Sequence, residues 1–568
     1  MEHLSPSVDH PQTPAARATV AFRWLFDSQA GSRNRFLPRW IFLRALAAIY
    51  FSAFYSLLFQ IEALNGPRGI LPTRGYLVAL AANAGALRFW YAPTLFWLSS
   101  SAHMMTGLMA FGLAASLAAF CNLWPRLSFF ICFVCFLSFV SAAQAFSNYQ
   151  SDSMLLEAGF LALFFAPRGM RPGWGVASPS SRASLFLLQW EWFRIYFESG
   201  IVKLLSGDPE WRNYTAMDEY YQNGPLPTWI GWYIEHLPHW FHAATVFGTL
   251  AMELAIVWML FLPRRARLIC FCIVTPWEAG VILTANYTFL NYLVLALGFL
   301  LLDDRSVRWL LPSRIRKGLP VDPTDKSNAP TLQSPAPSSL QADERPAEIH
   351  KQPAGKARGF SQYAHVLKLG LSAILLTWIA YATTVELMQM KWPEAPLPSL
   401  PVTALEPLRI ANQYGLFAVM TRGRYEIEFQ GSNDGQTWTP YPFRYKPQAL
   451  DKPPGIYAPY QPRFEWNLWF ASLGDWQQND LVPFTEERLL ENDPAVLALF
   501  KSNPFPQSPP RYVRAVLWQY WFTSMAEKRQ TGNWWKRSLM GLYAPVLTQQ
   551  PNGKFQVTEW PEELPAHD

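Results

Sequence analysis

Long apolar runs with short polar breaks fill residues 40–305, and one more run lies at 363–388. A helix that crosses a bilayer needs about 20 mostly apolar residues. Nine stretches approach that length: 41–61, 95–120, 127–146, 153–167, 184–204, 242–262, 267–284, 287–302 and 363–388. The fourth and eighth are short and also suit re-entrant segments. Beyond residue 390 the pattern changes. Arg424–Pro440 alternates apolar and polar positions around Asn433-Asp434-Gly435, which predicts strand, tight turn, strand. Residues 484–502 and 511–528 carry apolar side chains at three- and four-residue spacing and predict two helices. The second holds Trp518, Tyr520 and Trp521, which suit either packing onto the strands or a membrane surface. The predicted architecture is an α-helical multi-pass membrane bundle of about nine spans. A C-terminal mixed β-sandwich/α domain follows it, strands first and helices after.

Composition supports this division. Of 568 residues, 51% are apolar and only 15% charged, where a soluble protein carries about 25% charged. Residues 313–359 hold no aromatic residue and are rich in Pro, Ser, Ala and Gln, too little apolar surface to offset chain entropy, which predicts a disordered linker. The expected domains are an N-terminal segment (1–40), an eight-span bundle (41–304) with an outward loop (205–241), the linker (305–362), a last transmembrane helix (363–390) and a Trp-rich domain (391–568).

Charge orients these pieces. The first run follows Arg33, Arg35, Arg39 and Arg44 without a cleavage site and reads as a retained signal anchor. Basic loops face the cytoplasm, so the N-terminus is expected there, with Arg126, the Arg168/Arg171/Arg182 loop, the Arg264–Arg267 loop and the segment from Arg305. Alternation puts 62–94, 148–153, 206–240, 284–288 and everything after about 390 outside. The five cysteines (Cys121, Cys132, Cys135, Cys270, Cys272) lie in or beside apolar helices, so no disulfide framework is expected. Cys132-Phe-Val-Cys135 has redox spacing but sits in hydrocarbon, where packing is the expected role.

Gly207–His242 is an unusual connector, with five acidic residues, one Arg, four Trp and four Tyr. Beside it, Glu191, Arg194 and Glu198 share one helix face of the fifth run, an arrangement that suits an ion-pair ladder. Asp152, Glu157, Lys203, Asp208, Glu253 and Glu278 add further charge in or near apolar helices. Such groups are either glue between helices or the lining of an outward cavity. If the cavity performs chemistry on a lipid or a protein side chain, Asp152, Glu157, Glu198, Lys203, Asp208 and Asp218 are the candidates. No catalytic motif, zinc spacing, metal set or cofactor fingerprint accompanies them. His236 and His239 flank Pro238 and suit capping more than chemistry.

Three stretches carry a family likeness: NYQSDSMLLEAGFLALFFAP, WFRIYFESGIVKLLSGDPEWRNYTAMDEYYQNGPLPTWIGWYIEHLPHWFH and NYTFLNYLVLALGFLLLDD. With NQYGLFAVMTRGRYEIEFQGSNDGQTWTPYPFRYKP and PRFEWNLWFASL, they resemble the lipase maturation factors, in order, over most of 40–545. GSNDGQTWT is also similar to a turn of discoidin-like β-sandwiches. The membrane half is distantly similar to the vitamin K-dependent carboxylase group. The first resemblance implies a multi-pass protein of the endoplasmic reticulum membrane, chaperone-like, with its C-terminal part lumenal. It implies secreted clients, lipases, and the bilayer as partners, and neither nucleic acid nor cofactor is expected. In a bacterium the inner membrane would replace the reticulum. Asn148, Asp152, Arg194, Lys203, Trp211, Asp218, Tyr221, Trp232, His236, Trp240, Asn286 and Asn291 fall in the matching stretches as client-binding or family-motif residues. Asn213 and Asn286 also open glycosylation triplets. The linker and the ending PAHD, which is no retrieval signal, depart from the family pattern.

Overall fold

Every one of the nine apolar runs is helical in the computed structural model, which describes residues 14–147, 149–312 and 357–562. The expected disordered linker lies outside the described residues except for 357–359, as does Asn148. After an N-terminal helix, α1 (Pro14–Phe26), come α2 (Phe36–Leu58), α3 (Ala102–Phe120), α4 (Pro125–Val140) and α5 (Gln150–Phe165). Then follow α6 (Arg182–Leu205), α7 (His239–Leu254), α8 (Arg264–Thr284), α9 (Leu290–Gly298) and α10 (Ala357–Lys391). Local chemistry sets several starts. The Ser101 and Ser181 side chains accept the Met104 and Ser184 N–H groups, and Pro125 opens α4 where no N–H is needed.

Five helices are long and apolar enough to cross a membrane: Phe36–Leu58, Ala102–Phe120, His239–Phe261, Arg264–Thr284 and Tyr363–Lys391. Of the other four expected spans, Pro125–Val140 and Leu290–Leu301 are apolar but shorter, and α5 has 16 residues. The fourth, α6, is long but carries Arg182, Glu191, Arg194, Glu198 and Lys203. The helix α2 is the centre of the bundle. It is 61% enclosed, against 17% for α8. Its Tyr50 hydroxyl donates to Leu155 O of α5 at 2.9 Å, over Gly159. A Cβ at Gly159 would lie 1.9 Å from that hydroxyl, so glycine sets the approach of α5 to α2. Cys132 and Cys135 are buried among the packed residues of α4.

The C-terminal domain is built on one antiparallel sheet, not a sandwich. Its strands are β1 (Arg424–Ser432), β2 (Thr439–Pro440), β3 (Tyr512–Phe522), β4 (Trp535–Leu542), β5 (Val546–Gln549) and β6 (Phe555–Glu559). The order is β2-β1-β3-β5-β6, with β4 also on β3. The expected hairpin forms: Gln430 pairs with Pro440, and the Asp434 side chain accepts the Gln436 and Thr437 N–H groups of the turn. The expected helix at 511–528 is overturned, because Tyr512–Phe522 is the central strand. It pairs with β1 from Arg424↔Tyr520 to Ser432↔Tyr512 and with β4 and β5 on its other side. Val513, Ala515 and Leu517 are buried at alternate positions, as are Tyr520 and Phe522, and the phase changes at a register shift between Leu517 and Trp518. A helix begins only at Met525, behind a Ser524/Glu527 capping box. The 484–502 prediction survives as α12 (Leu481–Leu490) and a short turn Pro494–Leu497, after α11 (Arg463–Ala471). Four strands therefore follow these helices, against the expected order.

Residues of like expected side gather at the same end. Arg39 binds Ser178 O and Gly175 O, Arg126 binds Ala166 O, and Arg264 pairs with Asp303 at 2.6 Å. At the opposite end the C-terminal domain rests on all four bundle segments expected outside. Its contacts there are Asp493 with Arg68, Arg463 with Asp152, Thr421 with Asn223, and Gly455 with Asn286.

Candidate functional site

The charges of α5 and α6 are occupied by the chain that follows the last helix. Charges removed from water persist only when paired and hydrogen-bonded, and residues 409–421 supply most of the partners. Arg194 of α6 binds Glu157 of α5 and donates to Asn412 O at 2.5 Å. The second Glu157 oxygen accepts Asn412 Nδ2 at 3.1 Å and the Tyr414 hydroxyl at 2.8 Å. Glu198 accepts the Tyr414 N–H at 2.6 Å and lies 4.0 Å from Arg194. Lys203 donates to Glu253 (2.9 Å), Ser199 O (3.2 Å) and Leu416 O (3.1 Å). Asp208 caps the short helix Pro209–Arg212 and accepts the Met420 N–H at 2.7 Å. Of the expected ladder within α6, the Arg194–Glu198 pair forms and the Glu191 rung does not. Arg194 turns across to α5, and buried Glu191 has no close hydrogen-bond partner.

A second latch lies beside the first. The Arg463 guanidinium grips both oxygens of Asp152, at 2.7 and 2.8 Å, and also donates to Phe146 O, while its backbone N–H donates to Gln60. Both side chains are fully buried. Asn286 donates to Leu226 O (3.1 Å) and Gly455 O (2.9 Å) and accepts the Tyr457 N–H at 2.7 Å, holding three segments together. Its side chain is buried and used, so this triplet offers no glycan acceptor, whereas Asn213 is exposed. Arg424 of β1 donates to Gln222 O, Gly224 O and Pro225 O of the outward loop. In the domain itself, Glu465 accepts three backbone N–H groups, from Arg444, Tyr445 and Lys446. Burial still pushes its carboxyl up to about 7.

The loop 207–242 is pinned rather than free. Trp232 is fully buried with Tyr221, Tyr520, Phe522 and Trp535. His236 bridges Trp232 O at 2.7 Å and Thr523 O at 3.0 Å. Trp211 is buried and donates to Phe417 O at 3.1 Å. Of the residues expected as client-binding or family-motif positions, Trp211, Tyr221 and Trp232 are buried. All three are interior, because the C-terminal sheet and the 409–421 segment cover them. Trp240 is 70% exposed, and Asp218 sits at the surface with His239 at 3.0 Å. Asn291 donates to Glu278 of α8 at 2.5 Å.

An aromatic cavity of about 400 Å³ opens where these parts meet. Its walls come from the start of α5 (Tyr149, Gln150), the outward loop (Tyr220, Asn223), the 287–290 turn, segment 415–421 and α11 (Trp466, Trp469). Phe417, Val419, Phe470 and Leu473 stand exposed around it. Of the six candidate catalytic residues, none lines this cavity. Lys203 alone among them lines a second one. Among the described residues no His/Cys/Asp/Glu group is placed to hold a metal.

The Lipase maturation factor transmembrane domain matches residues 37–309, and the Lipase maturation factor C-terminal domain matches 410–545. Lipase maturation factor 2 of Homo sapiens is 31% identical, the match covering 91% of this chain and 83% of that protein. The chain belongs to the lipase maturation factor family. Lipase maturation factor 2 of Gallus gallus is 32% identical (90% and 81% covered), and lipase maturation factor 1 of Bos taurus 29% (93% and 92%). No solved structure matches. In this chain the two matched regions are those that the latches join: Asp152, Glu157 and Arg194 lie in one, Asn412, Tyr414 and Arg463 in the other. Pattern reading missed Gln60, Gln222, Asn412, Tyr414, Arg424 and Arg463. The one available signal was Arg463 inside the apolar stretch PRFEWNLWFASL.

Proposed function

We propose that the protein is a membrane-anchored maturation factor that holds incompletely folded secreted proteins, lipases by its relatives' names, at the outward aromatic cavity. In this reading nine spans place the N-terminus in the cytoplasm and the C-terminal domain outside it, in the reticulum lumen or a bacterial periplasm. The latches position the cavity, and the clients supply the apolar side chains. The observation that carries the reading is the cavity rim. Phe417, Val419, Phe470 and Leu473 are exposed around an aromatic interior, on a surface braced by buried ion pairs. Exposed apolar rims of this kind mark interaction sites.

The test places a photoreactive phenylalanine at Val419 or Phe470 in the full chain during lipase synthesis. Lipase adducts are expected from both positions and not from exposed Leu98, which lies away from the cavity. Val419→Ser with Phe470→Ser should lower active secreted lipase about tenfold at unchanged melting temperature and lipase transcript. Absence of adducts together with normal lipase secretion would refute the reading.

A further inference from the structure

The second cavity, of about 360 Å³, lies between helices of the membrane half, with the outward loop (Trp211, Tyr220, Tyr221) and Leu416 and Phe417 closing its other side. Helix α7 packs on α6 and α8 packs on α9, and the Trp277 ring of α8 reaches across to α7. A Cβ at Gly248 would sit 3.2 Å from that ring, so the ring packs directly on the α7 backbone here. Phe241, Thr245, Thr249 and Met252 line the cavity from one face of α7. The outer faces of α7 and α8 are apolar and open, with Phe247, Ile269, Ile273 and Leu283 exposed. A face of that kind on a bilayer-length helix meets lipid chains. Lipid is thus the neighbour on the far side of Trp277.

The polar end of the cavity selects among lipids. Lys203 has three donors and spends them on Glu253, Ser199 O and Leu416 O, which leaves nothing to bind an anion. Glu278, bound by Tyr196 and Asn291 at 2.5 Å each, adds a second carboxyl against the single ammonium. Phosphate and fatty-acid heads are therefore disfavoured. Glu253 is buried and lines the cavity, and its Oε2 has no hydrogen-bond partner among the described residues. That acceptor calls for a neutral donor. We propose that this cavity takes an acyl chain of a neutral, hydroxyl-bearing lipid, entering sideways from the bilayer between α7 and α8, its hydroxyl donating to Glu253. The proposal is independent of the client reading: the two cavities are divided by Tyr220 and Phe417, whose rings meet edge to face at 6.1 Å.

The test uses the full chain in phosphatidylcholine nanodiscs carrying a trace of diacylglycerol with a diazirine at one acyl end. After irradiation, adducts are expected on cavity residues such as Met252 and Val294, and excess unlabelled diacylglycerol should abolish them. Phosphatidylcholine carrying the same diazirine should not label these positions. Gly280 lines the cavity with open space at its Cβ, so Gly280→Leu fills the site without a clash. It should cut labelling about tenfold at unchanged melting temperature. Adducts confined to outward Phe247, Ile273 and Leu283, equal labelling by the phosphatidylcholine probe, or failure of unlabelled diacylglycerol to compete would each overturn the proposal.

Discussion

Arg463→Met is expected to destabilise the docked C-terminal domain by about 3–5 kcal/mol, the cost of leaving a buried charge without its partner. The stranded group is Asp152, which is fully buried and has both oxygens on the guanidinium. The lost bonds to Phe146 O and the contact over Phe139 add to the effect. Asp152→Leu should cost about as much, because it strands the arginine instead. The contrast is Lys536 with Glu527, an exposed pair whose removal should change stability by under about 1 kcal/mol. Melting temperature in detergent and protease sensitivity of the 391–562 region read both effects.

Trp232→Ala comes second, at about 3–5 kcal/mol for a buried aromatic truncated in a packed cluster. The ring meets Trp534 at 5.1 Å and His236 at 4.4 Å between centroids, and its removal opens a void between loop and sheet. Trp240→Ala, at the start of α7 and 70% exposed, should stay within about 0.5 kcal/mol. Thermal melts of the two variants separate an interior loop from one that presents its aromatic residues to a partner. If Trp240→Ala is the more damaging, the packing described for the loop is wrong.

The helical runs were legible because hydrocarbon length and period are written locally. Phe36–Leu58 and Ala102–Phe120 announce themselves by composition alone. The hairpin at Asn433-Asp434-Gly435 was legible for the same reason, since a tight turn is fixed by its own residues. The strand Tyr512–Phe522 was not. Its alternation changes phase at the register shift between Leu517 and Trp518, and Val516, Trp518 and Trp521 make the other face apolar as well, which leaves a spacing that a helix would also give. The charged residues of α5 and α6 were correctly singled out, but their meaning depended on partners distant in sequence. Asp152 waits for Arg463, Glu157 for Asn412 and Tyr414, and Asp208 for Met420. A carboxylate that lacks a local partner reads as available for chemistry until the chain that covers it is placed. Trp211 and Trp232 misled in the same way, because the chain that covers them, Phe417 and Met420 for the first and the sheet for the second, lies hundreds of residues later.

The central claim is that the buried charges of the membrane half hold the C-terminal domain in place. It is tested most directly by replacing one pair on both sides. Exchange of a buried ion pair for packed apolar residues is often neutral, whereas removal of one partner is not. Maturation of co-expressed lipase is therefore to be compared for Asp152→Leu, Arg463→Met and the double variant, each with its melting temperature. Both single variants are expected to lose stability and activity together, and the double variant to recover most of both. A double variant as stable as the unaltered protein, yet without activity, would contradict the claim and make Asp152 or Arg463 a working group.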